Sequence, residues 1–161
     1  MAASKGGDAG VTSGLLVLVG AVGWRHAHWR GGFYPAELPD DWLLSYYNTQ
    51  FQAVYLPAAV WQAASAADWS RWLEDTQERF RFVLESNGAA AVPPAHPRVL
   101  LATPAWSSEH VWWLDEAPDM RALARRISQR AASGEPLFVF SRGGDLARLE
   151  AANTLRQVMG Y

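Results

Sequence analysis

The run Leu15-Leu-Val-Leu-Val-Gly20 is continuously apolar and rich in β-branched residues. Strands covered on both faces, as in parallel sheets, have this pattern, whereas a strand with one solvent-exposed face alternates polar and apolar residues. The run therefore predicts a first strand that is buried on both sides. Comparable strand signals follow along the chain at residues 51–56, 80–84, 98–103, 110–114 and 137–140.

Helical patterns separate these strand candidates. An N-cap signal at Leu38-Pro-Asp-Asp41 precedes one apolar helical face, and Ser65 with Asp68 resembles a capping box before a second. We predict two further helices, one starting at Pro118 and ending at Gly134, the other capped by Asp145. Strands alternating with helices predict parallel βα units.

Length and composition set limits on the class of protein. A chain of 161 residues fits one domain, and 14 Lys and Arg against 16 Asp and Glu give a net charge of −2. No overall positive field exists to attract nucleic acid or an anionic membrane, so neither is expected as a partner. The chain has no cysteine, which excludes disulfides and thiolate zinc sites and fits a cytoplasmic location.

The chain is expected to divide into a tail and one domain. Residues 1–13 read as a flexible tail, because their Gly and single basic residue do not match a signal peptide. Residues 14–161 then form one domain. Its least structured stretch is predicted at residues 87–97, which are rich in Gly, Ala and Pro and mark a linker or a deletion junction.

The segment Gly20-Ala-Val-Gly-Trp-Arg-His-Ala-His-Trp-Arg-Gly-Gly-Phe-Tyr-Pro35 resembles the opening signature of the YecE-like family, the domain of unknown function 72 (DUF72). Members typically carry Gly-Thr-Ser-Gly-Trp, then Trp-Arg-Gly and Phe-Tyr-Pro, then a helix with paired tyrosines, as at Tyr46 and Tyr47. The resemblance implies a TIM-type barrel. Such barrels need about 250 residues, so we expect a shortened, incomplete α/β barrel of about six mostly parallel strands with flanking helices.

Departures from the family pattern fall at the carboxyl ends of strands, where barrel enzymes place their chemistry. The family's Glu-Ile-Asn-Ser-Thr-Phe-Tyr run reads Tyr55-Leu-Pro-Ala-Ala-Val-Trp61 here, and Glu85 stands at the family's Lys position. The closing Phe-Asn-Asn-Asp motif reads Phe140-Ser-Arg-Gly143. These changes imply that the ancestral polar site is lost or replaced, which makes the chain a degenerate member.

His26 and His28 follow the first strand with the spacing of a two-imidazole metal site. A catalytic metal also needs a third ligand, for which His96, His110 or Asp115 are the only suggestions. Because an H-x-H pair is common without a metal, we expect no cofactor and retain the pair as candidate ligands of a divalent metal.

Glu85 and Asp115 are the candidate catalytic residues, because each follows a strand signal and paired carboxylates can act as acid and base. The alternative is that Glu85 is solvated or ion-paired. Asp115, next to Glu116, would then be part of the acidic entry to the following helix.

Trp24, Trp29, Arg30 and Arg142 are the candidate ligand-binding residues. Tryptophans stack on sugars and aromatic ligands, and guanidinium groups bind phosphate or carboxylate, with Gly143-Gly144 as a possible anion cradle. The alternatives are core packing for the tryptophans and an ordinary glycine turn.

Two functions remain open. The first is a non-catalytic binding or assembly module that forms a homo-oligomer or binds a protein partner, with the Trp106, Trp112 and Trp113 cluster at its surface. The second is a small metal-assisted hydrolase or lyase that uses His26, His28 and Glu85 at the carboxyl ends of the strands.

Overall fold

The computed structural model describes residues 15–88 and 90–161, so the predicted tail at residues 1–13 lies outside the described residues. Each of the six strand signals corresponds to a strand there, although most bounds are shorter than predicted. The strands are Val17–Ala21 (β1), Ala53–Leu56 (β2), Arg81–Glu85 (β3), Val99–Ala102 (β4), Val111–Trp113 (β5) and Leu137–Ser141 (β6).

Within the described ranges, five α-helices lie between strands and a sixth follows the last strand, with short 3-10 turns at Ala27–Trp29 and Asp40–Trp42. The predicted capping box is confirmed, because the Ser65 side chain accepts from the Asp68 N–H while the Asp68 side chain accepts from the Ser65 N–H. Asp145 caps the last helix as predicted. The helices are Leu43–Asn48 (α1), Ala58–Ala63 (α2), Ala66–Glu74 (α3), Pro104–His110 (α4), Met120–Ser133 (α5) and Leu146–Met159 (α6).

Three details of the predicted elements were wrong. Helices α2 and α4 were not predicted, because six or seven residues are too few to develop an apolar stripe. His110 ends α4, so the strand predicted at residues 110–114 begins at Val111. Helix α5 begins after Pro118, with the Asp119 side chain accepting from the Arg121 N–H as its N-cap.

All strand pairings in the described residues are parallel, which confirms the parallel α/β class. One ladder runs β2-β3-β4 and the other β1-β6-β5. A bridge between Val22 and Tyr55 joins the two, and the Gly23 N–H donates to the Tyr55 carbonyl at 2.9 Å. The order is therefore β4-β3-β2-β1-β6-β5. No ladder joins β4 to β5 within the described ranges, so the sheet is barrel-like but not closed.

Alternate residues of the strands build two apolar layers. The outer layer packs against the helices and includes Val19 of β1. The inner layer packs strand against strand, and Trp106 of α4 contributes to it, with its ring 5.5 Å from that of Phe138. Trp106 thus brings apolar surface to the gap between β4 and β5. The buried inner-layer residues are Leu18, Ala53, Tyr55, Val83, Ala102, Phe138 and Phe140.

Tyr47 links α1 to the first two strands. Its hydroxyl accepts from the Ala21 N–H at 2.7 Å and donates to the Ala53 carbonyl at 2.6 Å. Gly20 allows this close approach, because a Cβ there would lie 1.8 Å from the Ala53 carbonyl oxygen and 2.6 Å from the Tyr47 hydroxyl. Burial raises the pKa of Tyr47 well above its ordinary value, so the phenol stays protonated.

In the two described ranges, no helix combines the length and the apolar character that a membrane crossing requires. Between β3 and β4 the described residues form neither helix nor strand.

Candidate functional site

The candidate site lies at the carboxyl ends of β1, β2 and β6, where the loop after β1 meets the turn after β6. Three side chains of the first loop contact the turn at Gly144. His28 Nε2 donates to the Gly144 carbonyl at 3.1 Å, and Trp29 Nε1 donates to the same oxygen at 2.8 Å. The His26 ring fills the space where a Gly144 Cβ would lie, 2.8 Å from Nδ1. The H-x-H pair therefore fixes one loop against another.

His26 also bonds to its own loop. Its Nε2 donates to the Val22 carbonyl at 2.9 Å, and its ring centroid lies 5.7 Å from that of His28. Burial lowers the pKa of His26, with the charge of His28 acting in the same direction, so the neutral ring is favoured. The two rings are neighbours. In the part of the chain that the structure describes, they belong to no group of three or more His, Cys, Asp or Glu suited to a metal.

Asp115 binds the turn after β6, where Gly143-Gly144 was considered as a possible anion cradle. Its Oδ1 accepts from the Arg142 N–H at 2.5 Å, and its Oδ2 accepts from Ser141 Oγ at 3.0 Å and from the Gly143 N–H at 3.3 Å. Burial opposes ionisation, but these hydrogen bonds outweigh it and hold the pKa of Asp115 below its usual value. The chain's own carboxylate thus accepts from backbone N–H groups that a bound anion would use.

Glu85, the other candidate catalytic carboxylate, caps α2. Its Oε1 accepts from the Ala58 N–H at 2.9 Å, and its backbone carbonyl accepts from Trp61 Nε1 at 2.9 Å. An acidic group at a helix start is stabilised by the free N–H groups there. Neither the solvated nor the ion-paired alternative describes this role, which depends on the unpredicted helix α2.

Tyr55 is a polar residue of this end that sequence reasoning missed. Burial raises its pKa, the negative charge of Glu85 acts in the same direction, and the positive charge of Arg142 opposes both. The ring lies 5.0 Å from that of Trp113, over which the Arg142 guanidinium sits at 3.7 Å. The sequence did offer one indication of Tyr55, because it stands at a position where the family carries a glutamate.

The candidate ligand-binding residues take different positions. Trp29 is fully buried and stacks near Tyr47, with ring centroids 6.1 Å apart, so it belongs to the core. Arg30 is tied to its own loop through the Leu38 carbonyl and an ion pair with Asp40 at 2.5 Å. Arg142 stacks on Trp113 instead of joining Arg30.

Trp24 is also buried in the core, at 5% exposure, and it lines an apolar cleft of about 230 Å³ at the carboxyl ends of β1 and β2. The Trp72 ring of α3 meets Trp24 edge to face at 5.2 Å, and the Val60 side chain is 45% exposed. Trp72 lies in the helix that was predicted after the Ser65 cap, and nothing local in the sequence indicates that it meets Trp24. The cleft is lined by Val22, Gly23, Trp24, Arg25, His26, Leu56, Pro57, Val60 and Trp72.

Comparison with known proteins relates this chain to one family and to one solved structure. Residues 18–91 match the model of the family described as "Protein of unknown function DUF72". A solved structure of a DUF72 family protein from Thermotoga maritima MSB8 is 19% identical, with 86% of this chain and 52% of that chain covered and a TM-score of 0.39. The chain thus spans about half the length of that relative. No curated protein matches the chain.

Proposed function

The chain is a member of the DUF72 family through residues 18–91, and from that premise we propose that it is a non-catalytic binding module that holds a small apolar ligand in the Trp24–Trp72 cleft. The module works without a metal cofactor. One observation carries the proposal: the side chains suited to catalysis at the carboxyl ends of the strands are engaged in holding backbone.

A general acid or base must reach the reacting atom with a free proton or lone pair. Glu85 caps α2, Asp115 accepts from the turn after β6, and His28 donates to the Gly144 carbonyl. Freeing Glu85 or Asp115 for chemistry would remove the charged acceptor of the Ala58, Arg142 and Gly143 N–H groups, and a hydrogen bond to a charged group contributes about 1.5–3 kcal/mol. The arrangement therefore supports a stabilising role over a catalytic one.

The cleft supports the binding role. Its volume of about 230 Å³ lies just below the ~300–1,000 Å³ range of small-molecule sites, which suits a ligand of a few apolar groups. Trp72 supplies a partly exposed ring whose geometry is fixed by edge-to-face packing on the buried Trp24, and such a ring favours stacking with planar ligands. Arg25 and His26 supply the polar groups of the lining.

Nuclear magnetic resonance titration with indole and with benzyl alcohol tests the proposal. We expect saturable shifts of the Trp72 indole and Val60 methyl signals in the wild type, and loss of that saturation in Trp72→Ala. Trp42→Ala is the matched control, because Trp42 is 64% exposed and does not line the cleft. Absence of saturable shifts for either probe in the wild type would contradict the binding role.

Metal content measured on the same sample tests the hydrolase or lyase alternative. We expect no stoichiometric metal. A monomer that retains zinc, iron or manganese in a 1:1 ratio, and loses it in His28→Ala, would favour the metal-assisted enzyme over the module.

The open sheet supports an assembly form of the same module. The outer edges of β4 and β5 have no strand partner within residues 15–88 and 90–161. Unpaired strand edges present backbone N–H and C=O groups that pair with other strands. A second copy of the chain is the occupant we propose, and native mass spectrometry is expected to detect a dimer or larger species. A monomer at all concentrations would contradict self-assembly while leaving ligand binding open.

A further inference from the structure

A second cleft lies at the other end of the sheet, where the chain enters β3 and β4. It has a volume of about 440 Å³, within the range of small-molecule sites. The lining is rich in basic side chains, with Glu78 as its one carboxylate. The residues that line it are Thr76, Glu78, Arg81, His96, Pro97 and Arg98.

Arg98 brings a buried positive charge to this cleft, since the residue is only 8% exposed. Its guanidinium donates from Nη2 to the Leu73 carbonyl at 2.6 Å and from Nη1 to carbonyl oxygens of Thr76 and Gln77. These partners are neutral, and no described carboxylate lies within ion-pair distance. Burial lowers the pKa of Arg98, and the positive charge of Arg81 adds to that effect.

Arg81 places a second guanidinium beside the first. Its Nη1 donates to the carbonyls of Glu78 at 2.9 Å and Phe80 at 3.2 Å, while Nη2 and Nε bond to no described residue. Burial lowers its pKa too, and Glu78 only partly opposes this. The two positive charges repel, and burying them without an ion-pair partner is costly. A negatively charged ligand would reduce both the repulsion and the cost of burying the charges.

His96 adds a further donor to the lining. Its Nδ1 accepts from the Arg98 N–H at 3.1 Å, so the neutral ring carries its proton on Nε2. Nε2 bonds to no described residue and is free to donate. The cleft therefore combines free donors on Arg81 and His96 with the buried charge of Arg98.

We propose that this cleft is a binding site for the phosphate group of a small phosphorylated molecule, held by Arg81 and His96 with the charge of Arg98 behind them. A guanidinium fork matches the oxygen spacing of phosphate and binds it through charge-assisted hydrogen bonds. The volume leaves room for an organic group next to the phosphate. This site is separate from the Trp24–Trp72 cleft and does not depend on the proposed function.

Isothermal titration with inorganic phosphate and with phenyl phosphate, at constant ionic strength, tests the site. We expect saturable 1:1 binding of both, tighter for phenyl phosphate. Arg81→Gln should weaken it about tenfold or more, since a charged hydrogen bond contributes about 1.5–3 kcal/mol. Arg79→Gln is the matched control, because Arg79 is exposed, carries the same charge and does not line the cleft.

Glu78→Gln gives a prediction of opposite sign. Removing the one carboxylate of the lining should tighten phosphate binding a few-fold, because the anion no longer meets a like charge. Arg81→Gln and Glu78→Gln both keep the Arg98 contacts with the end of α3, so both are expected to fold.

Three results would overturn the proposal. The first is no saturable heat with either probe. The second is equal weakening by Arg79→Gln and Arg81→Gln, which would reduce the effect to overall charge. The third is that phenyl phosphate binds no more tightly than inorganic phosphate, which would mean that the site does not bind an organic group next to the phosphate.

Discussion

The two ends of the sheet use their ionisable side chains in opposite ways. At the carboxyl ends of the strands, Glu85, Asp115 and His28 are bound to backbone of neighbouring loops. At the amino ends, Arg81 and Arg98 bond to carbonyl groups and keep a positive charge without an ion pair among the described residues. Barrel enzymes place their chemistry at the carboxyl ends. Here that end is fixed by its own polar groups, and the opposite end has two guanidinium groups that Glu78 opposes only in part.

Removing the Asp115 carboxylate should give the largest effect at the carboxyl end. Asp115→Ala removes the charged acceptor of the buried Ser141 hydroxyl and of the Arg142 and Gly143 N–H groups, and we expect a loss of about 3 kcal/mol in the free energy of unfolding. Urea unfolding at pH 7 measures it. Asp41→Ala is the control, because Asp41 is exposed and forms no ion pair with a described residue, and it should change stability by about 0.5 kcal/mol at most.

If Asp115→Ala matched Asp41→Ala, the carboxyl end would not be held by its polar side chains. The contrast between the two ends of the sheet would then fail.

Two glycine substitutions test the same contrast, and their expected effects on stability are of intermediate size. Gly144 and Gly134 both have left-handed backbones, with φ of 65° and 72°. Alanine costs about 1 kcal/mol in that conformation. At Gly134 nothing lies within 4 Å of the added Cβ, whereas at Gly144 the His26 ring lies 2.8 Å away. We expect Gly144→Ala to cost about 2 kcal/mol and Gly134→Ala about 1 kcal/mol by urea unfolding.

The double variant His26→Ala/Gly144→Ala tests the cause of the difference. If the ring is the obstacle, adding Gly144→Ala to His26→Ala should cost no more than Gly134→Ala does in the wild type. A full extra cost in the absence of the ring would place the strain elsewhere in the turn.

The smallest expected effect is on the pH dependence of stability. The folded-state pKa of Asp115 lies below its ordinary value of 3.8. The stabilisation that ionised Asp115 provides is therefore present above about pH 4 and is lost as pH falls through the folded-state pKa. The stability difference between wild type and Asp115→Asn should shrink from pH 5 to pH 2.5 in urea unfolding. A constant difference over that range would mean that ionisation of Asp115 does not stabilise the turn.

The fold was predictable where the signal is local. Apolar runs located the strands, Ser65 with Asp68 marked a helix start, and Gly134 marked a helix end with its left-handed backbone. Helix α2 could not be predicted, because its six residues carry no periodic pattern. The open gap between β4 and β5 depends on which strands pair, and strand pairing is not a local property.

The candidate site was predictable only as a set of residue types. The H-x-H pair does bring two imidazoles together, but its contact with Gly144 joins residues more than 100 positions apart. Asp115 meets the turn after β6 in the same non-local way, and Trp24 meets Trp72 across two elements. These contacts decide whether a carboxylate is free or bound, so its role could not be predicted from the sequence.

The position of β1 between β2 and β6 has a consequence for synthesis on the ribosome. Val17 pairs with Leu137, so β1 gains its second neighbour only after 120 further residues (137 − 17) have been made. At about 5–20 residues per second, that edge waits on the order of 6–24 s. Until residue 137 has been made, β1 therefore keeps one unpaired edge, and such an edge pairs readily with other strands unless it is shielded.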